Sequence, residues 1–166
     1  MTLNNPVTAY IGLGSNLGQS LGNVEQALTS LNMHPTIDVV GHSNWYGSKA
    51  IGPGTQPDYV NGAAALQTTL SARELLRVLL QTEAAYGRVR EERWAARTLD
   101  LDLLWYDDQT ISESDLEVPH PRLSERNFVL LPLNDLAPEL VLNGGSSVQT
   151  TLDIVGLDGI WKLSAT

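Results

Sequence analysis

"RTLDLDLLWYDD", residues Arg97 to Asp108, alternates like a β-strand. Leu99, Leu101, Leu103 and Trp105 fall on one face, Asp100 and Asp102 on the other. Acidic residues are depleted in strands, and like charges side by side on one face repel. This strand nonetheless holds two carboxylates about 7 Å apart, with Arg97 just upstream. Taken alone, it reads as a half-buried strand with a solvated acidic face. Set among phosphate-binding groups, it reads as a Mg²⁺ site. Mg²⁺ takes hard oxygen ligands and uses one or two carboxylates, with phosphate and water completing its shell. A strand backbone keeps the spacing of such ligands fixed.

The surrounding chain decides between these readings. It has 166 residues, enough for one domain spanning 1–166 with its own core. It has no cysteine, which removes disulfides and thiolate metal sites. The opening "MTLNNPVTAYIGLG" lacks a basic region followed by a long apolar run, so no secretory signal is expected. No apolar stretch reaches the length of a membrane span, and a soluble, cytoplasmic protein is the expectation. The formal net charge of −9 argues against general nucleic-acid binding. Of the ten basic residues, most are arginines gathered in one region: Arg88, Arg90, Arg93, Arg97, Arg122 and Arg126. His120 lies among them. An acidic chain that concentrates arginines beside paired aspartates suits a small polyanion plus a cation.

The order of elements is β-α-β-β-α-β with additions. "TAYIGLGSN" reads as a buried strand ending in a Gly-rich turn, and "NVEQALTSL" as an amphipathic helix. "TIDVVGHSNWY" reads as one strand, residues 47–58 as a Gly/Pro loop, and "YVNGAAALQTT" as another strand. Ser71 and Glu74 form a capping box opening a helix that runs to Tyr86. "RVREERWAA" is a polar loop before the quoted strand. "LEVPHPRLSERN" reads as irregular, "FVLLPLNDLA" as a short helix, residues 148–155 as a last helix and "GIWKL" as a final strand. This order predicts an α+β ferredoxin-like, mainly antiparallel sheet with helices on both faces.

The glycines of "GLGSNLG" stand at 12, 14 and 18, which misses the dinucleotide spacing, and no P-loop motif occurs. A bound nucleotide would therefore rest on Arg, His and metal. Guanidinium groups grip phosphate oxygens bidentately and stay charged. Trp94, in the polar loop, reads either as surface packing or as a cover that excludes water. His120, between Pro119 and Pro121, is a phosphate-binding candidate beside Arg122 and Arg126. Tyr59 and Asn61 share a strand face. They equally fit a core tyrosine with an edge amide, or a ring and amide that bind a flat heterocycle.

The strings "YIGLGSNLG", "QPDYVNGA", "GRVR", "RWAARTLDLDLL" and "VPHPRLSERNFVLLPL" occur in that order and with spacing that resembles the 6-hydroxymethyl-7,8-dihydropterin pyrophosphokinase family of folate biosynthesis. The resemblance runs from about Ala9 to Leu140. It implies a ferredoxin-like monomer that moves the terminal diphosphate of ATP to the pterin hydroxymethyl group and releases AMP. It implies that Asp100 and Asp102 hold two Mg²⁺ ions, and that Asp100 also borders the pterin. The pterin would lie between Tyr59 and Phe128, with Asn61 and the backbone of Ser48 and Ile51 reading its edge. Arg88, Arg97, His120 and Arg126 would take ATP phosphates, with Arg90 assisting and Arg88 and Arg97 counted as catalytic. Leu76 and Leu103 would border adenine, Trp94 would close over the site, and Glu83 matches a family acid without an assigned role. The chain departs from the family pattern at Ala95 and Ala96, usually Gly-Pro. It departs also at Asp115, often Arg, at Pro121, often Tyr, and at Ser48, Lys49 and Ala50, usually Thr-Pro-Pro. Two other classes compete: a Mg²⁺ phosphohydrolase on the same scaffold, and a ferredoxin-like RNA-binding module. The single Phe and the acidic charge disfavour the second.

Overall fold

The computed structural model describes residues 5–16, 19–49, 57–86, 99–142 and 144–163. The first strand, β1 (Val7–Ser15), is central, flanked by β4 (Tyr59–Thr68) and β5 (Asp100–Tyr106), both antiparallel to it. Two short strands, β2 (Ile37–His42) and β3 (Tyr46–Ser48), pair in succession along the other edge of β4. The last strand, β8 (Ile160–Lys162), adds to β3. With β2 and β3 counted as one edge, the order β5-β1-β4-β2/β3 is the ferredoxin-like sheet expected from the chain's element order.

Alternation along the strands divides the sheet into two faces. Ala9, Ile11 and Leu13 of β1, Ala64 and Leu66 of β4, and Leu101 and Leu103 of β5 point to one core. Helices α1 (Ser20–Asn32) and α2 (Ala72–Ala85) cover it with Val24, Ala27, Leu28 and Leu31, and with Ala72, Leu75 and Leu79. Ser71 caps α2 as predicted: its side chain accepts from Glu74 N, and the Glu74 carboxylate accepts from Ser71 N. Such caps contribute about 0.5–2 kcal/mol. The other face carries a second core of Leu104, Leu123, Leu130, Leu133, Leu142, Val148 and Leu152, built on α3 (Asn127–Leu136) and α4 (Val148–Val155). Among the described residues no helix is long and apolar enough to cross a membrane.

Four details correct the sequence reading. Gly12 and Gly14 lie within β1, not in a turn, and both are paired on each side. The segment read as one strand at 36–46 ends as β2 at His42, and β3 starts at Tyr46 and runs to Ser48, into the stretch read as a loop at 47–58. The break falls where Ser43 turns its hydroxyl to Ala63 N (2.9 Å) and where the Trp45 ring covers Gly62 so closely that no Cβ would fit. The stretch read as irregular begins with an ordered strand, since β6 (Ile111–Glu113) and β7 (Leu116–Val118) form a hairpin. Trp105 does not continue the leucine face. Ile11 faces Leu103 and Tyr10 faces Trp105, so Leu104 is an extra, bulged residue. The bulge sends Leu104 into the second core and brings Trp105 against Tyr10, ring centroids 5.5 Å apart.

Candidate active site

Register places the quoted aspartates. Gly12 stands opposite Asp102, and Gly14 opposite Asp100. On its other side Gly14 stands opposite Asn61. Paired residues share a face, so Asp100 and Asn61 project from the same side of the sheet, two strands or about 10 Å apart. Between them Gly14 leaves bare backbone. A Cβ there would lie 3.7 Å from Asn61 Oδ1 and 3.8 Å from the Tyr59 ring. Tyr59 and Asn61 share that face, as the period of two predicted. The Asn61 amide is oriented by its Nδ2, which donates to Ser48 Oγ (2.7 Å).

A second group gathers along the edge of β5 that β1 does not pair. A cleft of about 360 Å³ lies between α2 and the β6–β7 hairpin. Leu76 and Leu103 line it, as do Glu83, Asp102 and His120. Asp115 and Pro121, two of the departures from the family pattern, line it too. Asp115 is held by Arg73 of α2 through two 3.0 Å contacts, and Arg73 also grips Glu113. These carboxylates raise the Arg73 pKa, and Arg73 holds Asp115 below the usual carboxylate range. Asp102 thus borders the edge cleft while sharing its strand face with Asp100.

Burial lowers the pKa of His120, with Asp102 opposing and Arg126 and Arg122 adding to the shift. Burial and the two guanidinium groups favour the neutral imidazole. The backbone N–H of Arg122 donates to His120 Nδ1 (3.2 Å), which leaves Nε2 to carry the proton. Backbone anchoring is firm here, since His120 N donates to Leu104 O (2.9 Å). Arg126, just before α3, lies over the Phe128 ring with its guanidinium carbon 5.7 Å from the centroid.

Glu83 is 4 % exposed, and its carboxylate accepts from the backbone N–H of Leu101 (2.7 Å). Leu101 lies between the two aspartates, on the strand edge that β1 does not pair. The buried acid therefore satisfies an edge N–H and fixes the strand at the carboxylate pair. The signal was present in the sequence: Glu83 follows Leu79 by four residues, on the buried stripe of α2.

Two positioning residues escaped the sequence reading. Asn16 is fully buried and donates to Pro57 O (3.1 Å), tying the end of β1 to the segment before Tyr59. Asp135 of α3 accepts from Tyr46 Oη (2.7 Å), Asn44 N (3.1 Å) and Asn44 Nδ2 (3.2 Å), which joins α3 to β3. Ile51, Arg88, Arg90, Trp94 and Arg97, with Ala95 and Ala96, lie outside the described residues.

Among the described residues no group of three or more His, Cys, Asp or Glu side chains gathers to hold a metal unaided. Two carboxylates on one strand face fit a Mg²⁺ that draws its other ligands from phosphate and water.

The family model described as 7,8-dihydro-6-hydroxymethylpterin-pyrophosphokinase (HPPK) matches residues 10–138. The chain belongs to this family. It is an enzyme, a pyrophosphokinase that acts on hydroxymethyldihydropterin in folate biosynthesis. A 2-amino-4-hydroxy-6-hydroxymethyldihydropteridine pyrophosphokinase from Synechocystis sp. is 41% identical over 157 residues, covering 94% of this chain and 80% of the relative. The enzyme of that name from Pseudomonas aeruginosa is 42% identical over 154 residues, covering 93% and 95%. Likeness to these HPPK relatives therefore extends past Leu140. A solved structure of HPPK-DHPS in complex with substrates superposes with a TM-score of 0.73 at 12% identity, covering 91% of this chain. This chain spans 43% of that one, and the likeness speaks for the fold.

Proposed function

We propose that this chain transfers the terminal diphosphate of ATP to the hydroxymethyl group of 6-hydroxymethyl-7,8-dihydropterin and releases AMP, with Asp100 and Asp102 at the centre. The observation that carries the assignment of residues is the double pairing of Gly14. One glycine stands opposite both Asp100 and Asn61, so no side chain of β1 stands between a flat heterocycle held at Asn61 and the carboxylates.

On this reading the pterin stacks between Tyr59 and Phe128. Asn61 reads its edge together with the backbone of Ser48 and Ile51, and Asp100 borders its reactive side chain. Adenine lies in the edge cleft against Leu76 and Leu103. His120, Arg126, Arg88 and Arg97 hold the phosphates, with Arg90 assisting, and Trp94 covers the site. Asp100 and Asp102 would hold two Mg²⁺ ions, which supply charge neutralisation and a lowered pKa for the attacking hydroxyl. Phosphoryl-type transfer asks little covalent chemistry of a protein. It asks for alignment and for stabilisation of spreading negative charge. The neutral His120 donates from Nε2 to a phosphate oxygen. Arg126, braced on Phe128, links the phosphate side to the pterin side. Asp115, with its charge answered by Arg73, takes the place of a family arginine without presenting a bare anion to ATP. The whole chain, 1–166, acts as one domain and as a monomer in the cytoplasm, on two small-molecule substrates.

Calorimetric titration with the pterin, with and without a non-hydrolysable ATP analogue and Mg²⁺, tests this. Saturable pterin binding that strengthens with analogue and Mg²⁺ is expected. Phosphate release from ATP with no pterin present would favour a phosphohydrolase.

A further inference from the structure

The family model ends at residue 138, yet the chain beyond it returns to the site. Strand β8 pairs with β3 in the register Tyr46 with Lys162, Gly47 with Trp161 and Ser48 with Ile160. On its other edge β3 meets β4, with Ser48 opposite Tyr59 and Tyr46 opposite Asn61. Ser48 is therefore held between Tyr59 and the C-terminal strand. The indole of Trp161 lies on Gly47 so closely that a Cβ there would collide with the ring. Leu163 N donates to Trp45 O (2.9 Å), fastening the far end.

The near end of the same segment is fastened to the opposite wall. Asn127 Nδ2 donates to Gly156 O (3.1 Å) and to Asp158 O (2.8 Å). Asn127 is the first residue of α3, flanked by Arg126 and Phe128. The turns are made by Gly156 at φ 85 and Gly159 at φ 75, a backbone region that β-carbons disfavour. Residues 156–163 thus run from the start of α3 to the edge of β3. Both anchor points have few fastenings of their own kind. Strand β3 has three residues, and α3 begins without a side-chain cap on its N-terminus. At the other end of α3, Asp135 makes the matching tie to Tyr46.

We propose that residues 156–163 form a strap that sets the separation between Phe128 and the Ser48–Asn61 edge, with Trp161 and Asn127 as positioning residues for the pterin. This rests on the pterin assignment made above. The strap touches β3 and α3 and makes no contribution to the β5 edge cleft, so it bears on one substrate more than on the other.

Steady-state kinetics of full-length variants, with each substrate varied in turn, test the strap. Trp161→Ala and Asn127→Ala should each raise the KM for pterin about tenfold, with kcat and the KM for ATP within about twofold of the parent. Trp161→Phe, which keeps a ring over Gly47, should restore most of the loss. Ile154→Ser, at an exposed position of α4, should behave as the parent. Should Trp161→Ala fail to fold, Asn127→Ala removes only side-chain hydrogen bonds and decides the matter. An unchanged pterin KM in these variants, or a parallel rise in both KM values, would overturn the strap while leaving the site reading intact. A parent chain that does not turn over pterin would remove the site reading and the strap together.

Discussion

The Glu83 carboxylate accepts a 2.7 Å hydrogen bond from the backbone N–H of Leu101, the residue between the two aspartates. Glu83→Ala leaves that edge N–H buried and unpaired, which costs roughly 1–3 kcal/mol. Glu83→Gln keeps an oxygen in place and should lose less. Denaturant unfolding and turnover of both variants check this, and both measures should fall in the order Gln, then Ala. An alanine variant as stable and as active as the parent would show that the strand does not depend on this contact.

Asp100→Asn and Asp102→Asn each remove one anionic oxygen donor and keep the side-chain shape. Turnover should fall by orders of magnitude in both, while the fold survives or gains stability from relieved repulsion. Near-parental turnover of either variant at saturating Mg²⁺ would contradict the metal role.

Phe128→Ala should weaken pterin binding about tenfold or more, the cost of truncating an aromatic anchor that the bound ring would cover. Because Arg126 rests on the same ring, affinity for an ATP analogue should also drop, by less than about threefold. Calorimetry with each ligand separates the two, and a larger loss on the nucleotide side would move Phe128 to the other site.

Burial, followed by the hydrogen bond to Asp135, pushes the Tyr46 hydroxyl up to about 12 from 10.0. The folded chain keeps this proton where the unfolded chain releases it. The stabilisation is therefore complete below pH 10.0 and is lost as the pH rises to about 12. Tyr46→Phe should lose about 1.5–3 kcal/mol at neutral pH, the range for hydrogen bonds to charged groups, and should unfold with a flatter alkaline limb. An alkaline unfolding profile unchanged by the substitution would contradict the coupling.

What the sequence made legible was local. The capping box at Ser71 and Glu74, the span of α4 and the shared face of Tyr59 and Asn61 follow from spacing alone, and the structure has them. The bulge at Leu104 was not legible, because it arises from pairing with Tyr10 and Ile11, nearly a hundred residues away in the chain. The glycines of β1 read as a turn because glycine's absence of a side chain looks the same in a turn and on a bare floor. Their meaning depends on Asn61 and Asp100 arriving on either side. The ties from Asp135 to Tyr46 and from Asn127 to the C-terminal turns join distant segments, and no local pattern announces them. Glu83 was the readable exception, an acid on a buried helical stripe.

A pyrophosphokinase passes a whole diphosphate rather than a single phosphate. Attack on the γ-phosphorus of ATP leaves ADP, whereas attack on the β-phosphorus leaves AMP. The chain lacks a P-loop, whose lysine and backbone N–H groups support γ-transfer. Chromatography of the nucleotides after a single turnover with Mg²⁺ and the hydroxymethyl pterin decides the matter. AMP should appear in one-to-one ratio with a pterin carrying two added phosphates. ADP as the main product, or AMP formed without pterin, would contradict it.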